Sequence, residues 1–380
     1  MFLTRVLILL MVMSVARAEF KPEETGRIEV LPQPYPDHWV MIHDFSFHHM
    51  FEGEVVIVDP LAETVGEQYK GMMPASYIAA YGRSKKLNEF YVAETFFSRG
   101  GRGGQRTDTV TVWNPATLTV EGEIVIPSKR LTGMPKPIAI GLLGDERFLG
   151  VYNFTPSQSV TVVDLEKREV ASEIPTLGCS FVIPNGKQSF TSICSNGSLM
   201  TTHLDDEGKL EGTSRTEVLF DPEEDPIFES AAISNGVAHF PTFRGQVFPL
   251  EISSDSVTVK ALWSLTSEDE KNWRPGGLIP AVADSSGLGY FLMHPDGREG
   301  SHKDGGSEVW VYDLAKGQRL SRIVLKNWGI SLGTSGSGNN RLMLVTNAEM
   351  GVDVYRIPKA EYVQSLKVDV ATPFLIHGAH

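Results

Sequence analysis

Val55-Val56-Ile57-Val58-Asp59, Val110-Thr111-Val112-Trp113-Asn114 and Val160-Thr161-Val162-Val163-Asp164 are one phrase written three times, and Glu308-Val309-Trp310-Val311-Tyr312-Asp313 writes it again. Each is a β-branched run closed by an acid or amide. Such residues suit a pleated, half-buried surface, and the polar residue that follows stops it, so each phrase predicts a strand entering a tight turn. Asp59, Asn114 and Asp164 stand 55 and 50 residues apart. That period is close to a four-stranded propeller blade and too long for a helical solenoid repeat. Weaker echoes at Leu199 to Asp205, Val247 to Ile252 and Gly351 to Tyr355 bring the units to seven. The expected fold is an all-β, seven-bladed β-propeller over residues 38–380, whose radial repetition leaves only short sheet edges. A β-sandwich with coincidental spacing is the alternative.

Residues 1–18 read as a secretory signal: Arg5, the apolar run Val6 to Val15, then Ala16-Arg17-Ala18 before Glu19. The apolar run is too short to span a bilayer, which needs about 20 residues. Residues 19–37 carry Pro22, Pro32, Pro34 and Pro36 and read as an extended arm that packs on a partner or completes the last blade. Loss of the leader removes two arginines and no acids, moving the formal charge from −13 to −15. An exported chain this acidic is not expected to bind nucleic acid or anionic membrane. Thr266 to Asn272, with Ser267 as N-cap, is the best helix candidate.

Cys179 and Cys194 are the only cysteines. They flank Pro184-Asn185-Gly186-Lys187, a hairpin signal, so in an exported chain the expectation is a cross-strand disulfide. Closing that loop stabilises by roughly 3 kcal/mol in the chain-entropy treatment.

Candidate chemistry is thin. His38, His43, His48 and His49 form the densest histidine group, but neighbours on a strand face opposite ways and no zincin spacing occurs, so no metal site is expected. The run Phe96 to Asp108, with Arg99, Arg102 and Arg106 among glycines, lacks the Lys-Ser or Lys-Thr of a phosphate cradle and the basic surroundings of a nucleic-acid segment. It reads as an interface or structural loop, with Asp108 as an internal partner for a guanidinium. Gly333 to Gly338 departs from the serine-hydrolase elbow and reads as a flexible turn. No catalytic residue is assigned to this chain.

Four phrases carry a family resemblance: Glu94-Thr95-Phe96-Phe97-Ser98-Arg99 leading to Arg106-Thr107-Asp108, Tyr152 to Val160, Trp273-Arg274-Pro275-Gly276-Gly277, and Ser301-His302-Lys303-Asp304. In this order they resemble the heavy (large) subunit of the quinoprotein amine dehydrogenases, the methylamine and aromatic amine dehydrogenases. The resemblance runs from about His38 to the C-terminus. It implies a seven-bladed propeller with a disulfide at Cys179 and Cys194, in a periplasmic heterotetramer of two heavy and two light subunits. It further implies that the cofactor, tryptophan tryptophylquinone, belongs to a small disulfide-rich light subunit and that this chain binds none itself. The implied activity is oxidative deamination of primary amines, aromatic amines favoured, to aldehyde and ammonia, with electrons passed to a copper protein. This chain's implied share is to cover the quinone site and line the substrate channel. The loop Asp44 to His49 corresponds to the channel mouth: Phe47 is expected to gate it, with His48 second and Phe45 beside them, while a core-packing role for these aromatics is the other reading. A stand-alone exported propeller that binds a ligand or protein without redox chemistry is the competing function.

Overall fold

The computed structural model describes residues 30–378 except positions 102, 367 and 369, so the expected leader, and the arm before Val30, lie outside the described residues. The described part of the arm joins no sheet. Leu31 donates its N–H to the Ala116 carbonyl at 2.8 Å, and the buried Tyr35 hydroxyl donates to the Pro115 carbonyl at 2.5 Å.

All quoted repeat phrases fall on the third strand of a four-stranded antiparallel unit, which is why they rhyme. In the second sheet, for example, Ala80–Ser84, Glu89–Phe97, Arg106–Trp113 and Val120–Ile126 lie side by side in chain order. The third strand is buried on both faces while the outer one is largely exposed. Each closing acid or amide builds its turn by accepting from the backbone two residues on. Asp59 Oδ1 takes the Leu61 N–H at 3.0 Å, Asn114 Oδ1 that of Ala116 at 2.8 Å, and Asp164 Oδ1 that of Glu166 at 3.1 Å.

The chain is all-β, but the seven separate blades expected from the repeats are corrected by the hydrogen bonding. Among the described residues, five discrete blades of four or five strands form, together with one continuous eight-stranded sheet. The phrases at Glu308 and Gly351 share that sheet because Gln318–Ser335 runs unbroken for 18 residues. Its first part pairs with Gly306–Asp313 and its second with Leu342–Asn347, and Gly329 has a partner on both sides, Gly306 and Asn347. The run read as a flexible turn, Gly333 to Gly338, begins inside this strand; the turn itself starts at Gly336.

The C-terminal strand Pro373–Gly378 pairs antiparallel with Val40–Asp44, matching Val40 to Gly378 and Asp44 to Pro373, and closes the sheet that the N-terminal strands begin. Cys179 and Cys194 are directly paired across Cys179–Asn185 and Ser189–Cys194 and are bonded, S–S 2.09 Å. The helix candidate shrinks to one 3-10 turn, Glu268–Glu270, with Ser267 and Glu270 in a reciprocal capping box. The described residues include no helix long and apolar enough to cross a membrane.

Candidate channel face

Antiparallel alternation sends the loops after the second strand of each sheet, and the links between sheets, to one end of the molecule. The loop after Val40–Asp44 is one of these. Asp44, 2 % exposed, organises it: Oδ1 accepts from the Ser46 N–H at 2.8 Å, the Thr372 N–H at 2.8 Å and the Thr372 hydroxyl at 3.2 Å, and Oδ2 accepts from the Ala371 N–H. Ser46 is held at φ 43°. This reversal sends Phe45 inward and Phe47 outward.

Phe45 is fully buried with Ile78, Ile279, Phe374 and Leu375. Phe47 is 38 % exposed, lies 5.1 Å from the Phe374 ring and 6.1 Å from Phe45 between centroids, and is anchored by its N–H to the Thr372 hydroxyl at 3.0 Å. His48 and His49 are exposed. The histidine group is dispersed: His43 is buried under Phe45, ring centroids 4.1 Å apart, and His38 pairs with Asp59 at 3.2 Å at the far end of the strand. Burial, and then His377, hold the His43 imidazole well below its usual range, and burial holds His377 near 4. Among the described residues no cluster of His, Cys, Asp and Glu could hold a metal.

Three of the four resemblance phrases meet beside this aromatic wall. A cavity of about 650 Å³ is lined by Tyr152 and Phe154 from the second phrase, Gly277 from the third, and His302 and Lys303 from the fourth, with Leu278 and Ile330 at its back. Leu278 and Ile330 also pack against the Phe45 cluster, so wall and cavity are continuous. Tyr152 packs at a tilt against Phe181, ring centroids 5.1 Å apart, and donates to Ser180 Oγ at 2.9 Å. Gly277, at φ 96°, leaves no room for a side chain: a Cβ there would sit 2.3 Å from the Ile330 carbonyl oxygen. Lys136 and Glu229 pair at 2.6 Å at the cavity edge.

The first phrase serves from behind. Asp108 is completely buried and takes a fork from Arg106, 2.8 and 2.7 Å, as well as the Thr95 hydroxyl at 2.8 Å and the Arg130 N–H at 3.1 Å. Glu94 accepts from the Ser76 N–H at 2.9 Å and the Thr111 hydroxyl at 2.6 Å; burial raises its pKa against those bonds. The glycine-rich loop between them closes as a tight hairpin, Ser98 N–H to Gln105 O and Arg99 N–H to Gly103 O, both 3.0 Å. Arg130, which carries the widest set of contacts at this face, has no local sequence signature.

Residues 38–365 match the family model described as methylamine dehydrogenase heavy chain. The chain belongs to that family. The heavy chain of Methylobacillus flagellatus is 31 % identical over 260 residues, 67 % of this chain and 64 % of that one, so the present chain matches slightly less than two thirds of that relative. That of Methylorubrum extorquens is 26 % identical over 346 residues, 90 % and 80 % of the two chains. Among solved structures, a periplasmic gluconolactonase of Pseudomonas aeruginosa superposes with a TM-score of 0.59 at 14 % identity, covering 89 % of this chain and 98 % of that one. A dihydro-heme d1 dehydrogenase does so at 0.52 and 15 %, covering 92 % and 77 %. Those two likenesses concern fold alone. The family match explains why the heavy-chain phrases, scattered over two hundred residues, were readable as a set.

Proposed function

We propose that this heavy chain is the large, non-catalytic subunit of an exported amine dehydrogenase. It covers the active site of a small, disulfide-rich, quinone-bearing light subunit and lines the amine's path to it. The observation that carries this reading is the meeting of three family phrases on one cavity, continuous with the aromatic wall of Phe45 and Phe47. Phe47, Phe51 and Phe154 on loops, and Phe96 near the end of the strand Glu89–Phe97, are exposed at that end. Exposed aromatics clustered on one face suit a partner surface.

This chain's own residues do not fit the making of the quinone. Trp273 and Trp310 lie 5.2 Å apart, yet Arg322 sits over both rings and Arg319 over Trp310. The Trp310 Nε1–H is committed to Glu308 at 2.8 Å. The proposal puts tryptophan tryptophylquinone in the partner, where it would supply the amine oxidation. The heavy chain excludes water there, strengthening local electrostatics. Phe47 gates the mouth, Phe45 backs it, and His48 stands at the rim.

Aromatic primary amines are the favoured substrates, because Tyr152, Phe154, Phe181 and Phe228 offer ring faces in a cavity far larger than methylamine. Electrons leave to a periplasmic copper protein. Purification from the natural host tests this: a co-purifying small subunit, with a visible band that bleaches faster with 2-phenylethylamine than with methylamine, is expected. A colourless lone chain would overturn the reading in favour of a stand-alone binding propeller.

A further inference from the structure

The turn behind the gate is the most strained stretch of the channel face. Tyr77 and Ile78 both adopt left-handed backbone, φ 62° and 52°, which is costly for a β-branched side chain. Ile78 packs on Phe45. Tyr77 gives its N–H to the Met50 carbonyl at 2.6 Å, and Ala75 gives its own to Gly53 at 2.7 Å, so this turn grips the loop that carries Phe47.

What holds the turn is Arg130. Its guanidinium is buried and donates to three successive carbonyls: Nη2 to Ser76 at 3.3 Å and to Tyr77 at 2.7 Å, and Nη1 to Ile78 at 2.9 Å. Nη1 also donates to the Leu131 carbonyl at 2.9 Å, and Leu131 lines the cavity. The Arg130 N–H is fixed by Asp108, the acid that Arg106 forks. One side chain thus ties the gate turn to the cavity wall. A lysine could not copy this, since an ammonium on a flexible stem lacks the planar fork.

We propose that Arg130 is a positioning residue for the amine channel, setting the distance between the gate of Phe45 and Phe47 and the wall that begins at Leu131 without touching the substrate. The proposal rests on the amine dehydrogenase reading. It gives a role to the Arg106-Thr107-Asp108 phrase, which the cavity lining leaves unused: Asp108 locates Arg130, and Arg130 locates the gate.

The test compares R130K, R130Q and D108N with the natural chain. In the assembled complex, steady-state oxidation of methylamine and 2-phenylethylamine is followed. In the full heavy chain, hydrogen exchange is followed in peptides covering 44–53 and 75–80. R130Q is expected to raise KM about ten-fold and to shift the preference between the amines at least five-fold, with kcat changed less than two-fold. R130K recovers only part of this, and D108N shifts the preference in the same direction by a smaller factor. Exchange in both peptides quickens, most in R130Q. Unchanged KM and preference in assembled complexes overturn the proposal, as does a uniform fall in kcat that follows the melting temperature. If R130Q does not fold, R130K and D108N decide by the same criteria. If the natural complex oxidises no amine, the functional reading fails; unaltered exchange in the variants, by contrast, removes Arg130 from its role whatever the substrate.

Discussion

The two ends of this heavy chain are built on different economies. At one end, strands turn back through short loops whose Asx acids and amides satisfy the backbone within two residues, as at Asp59, Asn114 and Asp164. At the other, backbone groups are satisfied by side chains from 52 to 328 residues away. Asp44 bonds Ala371 and Thr372, and Arg130 bonds Ser76, Tyr77 and Ile78. Local turns repeat and so can be recognised; long-range ties are singular and leave no such pattern.

Mutations at the two ends should therefore differ in kind. Phe45→Ala empties a fully buried ring site at the channel end and is expected to cost about 3–5 kcal/mol in denaturant unfolding. Asp44→Ala strands four donors together and is expected to cost about 3 kcal/mol, as an unsatisfied buried group typically costs 1–3. Asn114→Ala, at the repetitive end, removes one local acceptor and is expected to cost about 1 kcal/mol. Were Asn114→Ala to equal Asp44→Ala, the contrast between the ends would be broken. Phe47→Ala should barely move stability while widening the amine range of the assembled complex, measured as a fall in the preference for 2-phenylethylamine.

Acid sharpens the comparison further. Burial holds His377 near 4 at the sheet-closing strand, and burial with Lys260 holds His239 near 4 in another blade. Both are lower folded than unfolded, so the unfolded chain binds more protons as pH falls below about 6.5. Stability contributed by these neutral imidazoles is complete above that pH and is lost progressively as pH drops through about 4. Unfolding midpoints measured from pH 7 to pH 4 should fall, and His377→Phe and His239→Phe should each flatten the slope.

What the sequence made legible follows the same division. The repeat phrases, the Cys179–Cys194 pairing and the turn capped at Ser267 are local, and each was readable from spacing. The joining of the Glu308 and Gly351 units into one sheet was not, because it depends on how Gln318–Ser335 bonds on its two sides, and an uninterrupted strand of that length looks like two. The order of the four family phrases was visible, but not that three of them line one cavity and the fourth braces it. Arg130 had no signal: in Lys129-Arg130-Leu131 it looks like a solvated charge, and only burial against three carbonyls makes it otherwise.

The strand Pro373–Gly378 closes on Val40–Asp44, and the residues just before it, Ala371 and Thr372, hold the reversal that turns Phe47 outward. The Phe47 loop is thus shaped jointly by the strand Val40–Asp44 and by residues more than three hundred positions further along. A chain cut before Ala371 would carry every blade-forming phrase and still lack the hydrogen bonds that shape this loop.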